Sequence, residues 1–202
     1  MQTKITNKGF TLVEIAVSIG IFSLIIIGIG TFSGDVFKYN RIVGNSLTAQ
    51  QDARQILRKF ASELRTAQAS ANGSYTLAEV GDNAITFFSD VDKDGLIEQV
   101  RYYMSGTDLL RSTIKPTGVP AVYTSAPVVT TLIRNLMNGG TPVFTYYDAN
   151  YSGSEAPLSQ TVNANTVRLV KINLIIEQDL TQAPVPITVT TQVSIRNLKD
   201  NL

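Results

Sequence analysis

Residues 10–32 form the one stretch of this chain that no ordinary soluble fold would carry in this form. Fifteen of these twenty-three residues are apolar, and Glu14 is the only charge among them. At about 1.5 Å per helical residue the run reaches ~34 Å, enough to cross a hydrocarbon core of about 30 Å once. Lys4 and Lys8 lie on its N-terminal side. The positive-inside bias therefore predicts a leader in the cytoplasm and translocation of everything beyond the run. No small-residue A-x-A site follows it, so an ordinary cleaved secretory signal does not fit. A plain signal anchor would fit the hydropathy but leaves Glu14 unexplained. At the centre of a membrane helix a carboxylate costs ~2.5–3.5 kcal/mol on insertion scales, which makes Glu14 a functional candidate unless it sits at headgroup depth.

Composition removes most enzymatic chemistries. The 202 residues include no Cys and no His, which excludes disulfides, thiolate or imidazole metal centres, cysteine nucleophiles and Ser-His-Asp hydrolysis. A net charge of +1 gives no support to a broad nucleic-acid footprint, so nucleic acid is not favoured as a partner.

Helical periodicity continues past the apolar run. Ile42, Ala49, Ala53, Ile56, Phe60, Leu64, Ala67 and Ala71 recur at steps of three, four or seven, while Gln50, Asp52, Arg54, Arg58, Lys59, Glu63 and Arg65 form a polar face. The spacing predicts one helix from about residue 10 to about residue 70, the first half in lipid and the second against a soluble domain. Gly28, Gly30, Ser33 and Gly34 mark a place to bend or unwind, or equally a close helix–helix contact.

After Asn72-Gly73 the period becomes alternating. Strands are predicted at 84–88, 98–104, 109–113, 142–147, 167–176 and 187–195, with 128–137 open between strand and short helix. Residues 116–164, rich in Pro, Gly, Ser, Thr and Asn, predict long connections interrupting short elements. The fold class is α+β: a long N-terminal helix packed on an antiparallel sheet. The implied segments are 1–9, a leader; 10–33, a membrane-spanning helix; 34–71, its amphipathic continuation; and 72–202, a β-rich domain.

One loop has ligand spacing. Asp90, Asp92, Asp94 and Glu98 stand within nine residues around Gly95, the D-x-D-x-D-G pattern by which alternate oxygens converge on a hard cation such as Ca²⁺. Asp90, Asp92 and Asp94 would ligate through side chains, Leu96 through its carbonyl, and Glu98 directly or through water. The match to an EF-hand is partial: Arg101 stands at the twelfth position, and the flanks alternate as strands. The competing reading is a solvated turn whose aspartates cap backbone amides. Elsewhere Asp148 and Glu155 form no cluster. Tyr146, Tyr147 and Tyr151 read as sheet residues, and Arg54, Arg58 and Arg65 as a solvated helix face.

The residues Lys8-Gly9-Phe10-Thr11-Leu12-Val13-Glu14 resemble the processing site of type IV prepilins and of the pseudopilins of type II secretion systems. The resemblance implies cleavage between Gly9 and Phe10 by a membrane-embedded prepilin peptidase, which then methylates the new terminus at Phe10. It also implies a role for Glu14 in filament assembly, where its carboxylate can pair with the terminal amine of a neighbouring subunit. Removal of Lys4 and Lys8 with the leader would leave 193 residues with a formal side-chain balance of −1, fifteen basic against sixteen acidic. The resemblance further implies the pilin-like helix-on-sheet arrangement. Its partners would be other major and minor pilins or pseudopilins, an inner-membrane assembly platform and membrane lipid. Residues 90–103, Leu110-Arg111 and 142–148 resemble PilW-type minor pilins and J-type minor pseudopilins, low-abundance subunits at or near the filament tip. A tip adhesin or DNA-uptake receptor using the 116–164 loops is the alternative. A hydrolase built on the acidic loop is disfavoured, because four carboxylates without His or Cys look more like ligands than catalysts.

Overall fold

The structure is a computed structural model that describes residues 9–159, 161–177 and 186–198. Most of the leader, Lys4 and Lys8 included, lies outside the described residues. The chain divides into two compact units, Met1–Asn45 and Ser46–Leu202. Helix α1, Leu12–Arg65, gives its first part to one and its last turns to the other.

In the first unit α1 begins with a reciprocal cap. The Thr11 backbone N–H donates to Glu14 Oε2 at 2.8 Å, and the Glu14 N–H donates back to Thr11 Oγ1 at 3.3 Å. This is a capping box, which satisfies two backbone donors that a helix start leaves free. Every residue from 12 to 32 is exposed on all sides of the helix. Its hydroxyls turn inward instead: Ser18 donates to the Glu14 carbonyl at 2.7 Å, Ser23 to Ile19 at 2.8 Å and Thr31 to Gly28 at 3.0 Å. The polar side chains of the segment are thus satisfied within the helix, as an apolar surrounding requires. The helix passes through Gly28, Gly30 and Gly34 without interruption, so unwinding at these glycines does not occur here.

In the second unit five strands form an antiparallel sheet in chain order: β1 Leu77–Val80, β2 Ala84–Ser89, β3 Glu98–Ser105, β4 Asp108–Ile114 and β5 Val128–Ile133. Strands β3 and β4 are joined by the two-residue turn Gly106-Thr107, where Gly106 takes φ +61°, a conformation glycine adopts at little cost. A second antiparallel sheet contains β6 Phe144–Tyr147, β7 Leu169–Ile176 and β8 Ile187–Ser194 in order β6-β7-β8. The single sheet expected from the alternation is therefore two. Their connection does not run through a strand ladder: the Phe144 N–H donates to the Asp82 carbonyl at 2.9 Å, and the Tyr146 hydroxyl donates to the Gly81 carbonyl at 2.8 Å.

Other expectations differ in detail. Strand β1 was not predicted, because four residues with a register shift against β2 carry no readable alternation. Residues 128–137 resolve as β5 followed by a bridge from Leu136 to Ile176. Helix α1 stops near residue 65 and not near 70. Past Arg65 the backbone is diverted into β contacts and a turn: the Gln68 N–H donates to the Phe88 carbonyl at 2.9 Å and the Ser70 N–H to the Ser74 carbonyl at 3.0 Å. Ala71 is exposed in consequence.

Ala49, Ala53, Leu57, Phe60 and Leu64 are the buried apolar residues of the last turns of α1. Leu57 joins the face expected from the spacing. Phe60 lies at the centre of the aromatic core, edge-on to Tyr102 with centroids 5.0 Å apart and tilted against Phe144 at 5.8 Å. Burial of such a ring stabilises by roughly 1.5–3 kcal/mol relative to exposure. Alternation along β7 is complete, with Val170, Ile172, Leu174 and Ile176 buried.

Candidate functional site

Gly9 and Phe10 precede α1 without regular structure, and Phe10 is 82% exposed. A Cβ built on Gly9 would meet nothing within 4 Å, and no left-handed backbone angle demands glycine there. Nothing among the described residues explains the glycine, and Gly9 and Phe10 are both exposed. One turn of α1 follows, with Leu12, Val13 and Ile15 exposed and the capped Glu14 among them.

The acidic residues fall at the β2–β3 hairpin. Asp90 to Ile97 form its loop, and Glu98 opens β3 opposite Ser89. Local bonds shape the loop: the Gly95 N–H donates to Asp90 Oδ2 at 3.1 Å, Leu96 N–H to Asp94 Oδ1 at 2.9 Å and Val91 N–H to Glu98 Oε2 at 3.0 Å. Gly95 has φ +88° and Lys93 φ +62°, so the chain reverses through left-handed backbone that favours glycine at the first of these. Asp90, Asp92 and Glu98 each bring a carboxylate oxygen within 4.8 Å of the others. Asp94 is not in that group. Its Oδ2 accepts from Lys115 Nζ at 2.7 Å, and the same ammonium reaches Asp92 Oδ2 at 2.6 Å. The Leu96 side chain is exposed.

Electrostatics follow from this geometry. Burial pushes the Glu98 carboxyl above the usual range, the Val91 amide opposes it, and the charges of Asp92 and Asp94 raise it further. Hydrogen bonds to Asp92 and Asp94 raise Lys115 well above an ordinary lysine. The Lys115 hydrogen bond, helped by the Leu96 amide, holds Asp94 below the usual carboxylate range. The Tyr123 hydroxyl donates to the Ile97 carbonyl at 2.8 Å, fixing the far end of the loop.

A second charged group lies near this loop and was missed in the sequence. Glu63, assigned to the polar face of the helix, is 8% exposed, and Arg111 on β4 is 9% exposed. Arg111 grips the carboxylate with a two-pronged contact, Nη2 to Oε1 at 2.9 Å and Nε to Oε2 at 3.0 Å, and the Tyr102 hydroxyl adds a bond of 2.7 Å. Burial lowers the guanidinium's basicity, but Glu63 outweighs it and Arg111 stays raised. Burial and the Glu63 charge also push the Tyr102 hydroxyl up. Glu63, Arg111, Asp92, Glu98 and Lys115 share the lining of a cleft of about 420 Å³. The signal in the sequence was the seven-residue step Ala49, Ile56, Glu63, which puts the glutamate on the buried face.

The remaining candidates have local roles. Asp148 closes a turn onto the Asn150 N–H at 2.9 Å, and Glu155 accepts from the Ser152 N–H at 2.7 Å. Arg54, Arg58 and Arg65 are exposed on the helix.

Residues 5–30 match the family model described as a prokaryotic N-terminal methylation motif. A search of curated protein sequences finds no match to this chain. The motif, together with a long apolar helix and an antiparallel β-rich unit, supports a type IV pilin-like or pseudopilin-like subunit. The pilin-type family that carries this motif is structural in role. The motif implies processing by a prepilin peptidase and assembly with other pilins, and with the apolar helix it suggests membrane anchoring.

Proposed function

We propose that this chain is a minor pilin or pseudopilin, cut between Gly9 and Phe10, methylated on Phe10, and inserted through its N-terminal helix into a type IV pilus or a type II secretion pseudopilus at or near the tip. The observation that carries the reading is the methylation motif at residues 5–30 followed by a helix whose residues 12–32 are exposed on every side. A helix apolar all round needs a bilayer or other helices to cover it. Storage in the inner membrane with the leader in the cytoplasm, then transfer to a helical bundle, supplies both in turn. The β-rich unit would lie outside the membrane and contact other minor subunits.

Glu14 has two roles to separate. It caps its own helix through Thr11, and the proposal adds a charge pairing with the terminal amine of a neighbour. Glu14→Gln keeps a side chain that can close a capping box but removes the charge, whereas Glu14→Val removes both. Both variants are expected to be cleaved normally and to be lost from sheared filaments, measured by immunoblot of membrane and filament fractions. Normal incorporation of Glu14→Gln would reduce Glu14 to a cap and sink the charge-pairing role.

A further inference from the structure

The geometry points to a calcium-class divalent-cation site at the β2–β3 hairpin, formed by Asp90, Asp92 and Glu98, with Lys115 as a built-in counter-ion that the metal displaces. The site is independent of how the amino terminus is processed.

The division of labour among the carboxylate oxygens carries the inference. Asp90 and Glu98 each use one oxygen to hold loop backbone, Oδ2 on Gly95 and Oε2 on Val91. Their other oxygens, Asp90 Oδ1 and Glu98 Oε1, are buried and accept no hydrogen bond. The Glu98 side chain is only 1% exposed, and Lys115 Nζ lies 3.9 Å from its Oε1, too far for a hydrogen bond. A buried carboxylate oxygen without a donor is costly to keep charged, and in native proteins such an atom calls for a proton, a water or an ion.

The oxygen spacing suits a single ion. Ligands of one Ca²⁺ stand about 2.3–2.6 Å from it and so at most about 4.6–5.2 Å from each other. Asp90, Asp92 and Glu98 present oxygens within 4.8 Å of one another. An all-oxygen donor set selects a hard cation over zinc or copper. Lys115 brings one positive charge to the edge of this group, at 2.6 Å from Asp92 and 2.7 Å from Asp94. One ammonium facing Asp90, Asp92, Asp94 and Glu98 leaves the loop negative. A divalent ion between Asp90, Asp92 and Glu98 neutralises more charge, and it frees Lys115 to remain on Asp94. Asp94 thereby moves from the ligand set expected in the sequence to the lysine's partner.

The test uses the full chain in detergent, stripped with chelator and titrated with calcium chloride by calorimetry and by thermal unfolding followed by circular dichroism. One calcium per chain is expected, with Tm rising by about 5–10 °C at a hundred times Kd. Asp92→Asn, at an exposed position that leaves the core intact, should weaken binding at least about tenfold, and Glu98→Gln should abolish it. Lys115→Met should bind calcium about three- to tenfold more tightly, because the competing ammonium is gone. No calcium heat and no Tm shift at millimolar calcium would overturn the site. Binding unchanged in Asp92→Asn would overturn the ligand set, unchanged or weaker binding in Lys115→Met the displacement, and a larger response to magnesium the assignment to calcium.

Discussion

Glu63→Ala is expected to destabilise the β-rich unit by about 3–5 kcal/mol, a larger effect than most single substitutions produce. The reason is what it leaves behind. Arg111 is 9% exposed and makes its two-pronged contact with Glu63 alone, while Tyr102 spends its hydroxyl on the same carboxylate. Alanine would strand a buried guanidinium and a buried hydroxyl beside a small cavity. Each desolvated group without a partner is expensive, whereas the intact pair contributes little net stability, because bringing both charges out of water nearly offsets their attraction. The double substitution Glu63→Leu with Arg111→Met should therefore recover most of the loss. Thermal unfolding by circular dichroism reads both, with a fall in Tm of roughly 10 °C for the single variant. A loss below about 1 kcal/mol for Glu63→Ala would mean that water or backbone reaches Arg111 and that the pair is not isolated.

Gly9→Val should abolish leader removal while leaving the fold unchanged. What the fold needs at residue 9 differs from what an enzyme needs there. Among the described residues Gly9 has no neighbour that a Cβ would strike, and no left-handed angle marks it, so valine is expected to cost the fold next to nothing. A peptidase that must bring backbone against the scissile bond has no such tolerance for a branched side chain. In a host with its own prepilin peptidase the variant should accumulate in the membrane at precursor mass, with the Tm of its β-rich unit unaltered. Processing at the native rate would remove Gly9 from the cleavage site.

What could be read in the sequence was whatever depends on local period. The apolar run, the helix behind it and six strands follow from spacing alone, as does the acidic loop from D-x-D-x-D-G. The capping box is equally local: Thr11-Leu-Val-Glu14 is written out in the chain, with the glutamate three residues after a threonine. Partners brought together by pairing were not legible. Lys115 reaches Asp92 across twenty-three positions, and Arg111 reaches Glu63 across forty-eight. Neither contact exists until β3 and β4 are in register. The division into two sheets is of the same kind, since it depends on Asp82 and Gly81 accepting from Phe144 and Tyr146. Glu63 differs for another reason: its charge suggests the polar face, while its seven-residue step from Ala49 and Ile56 puts it inside.

The mature amino terminus is where the proposed processing is read most directly. Intact-mass and N-terminal fragment analysis of the chain isolated from filaments, or from membranes of cells containing a prepilin peptidase, is predicted to find residues 1–9 absent and a single methyl group on the amine of Phe10. A chain that retains Met1, or one cut anywhere other than between Gly9 and Phe10, would contradict it.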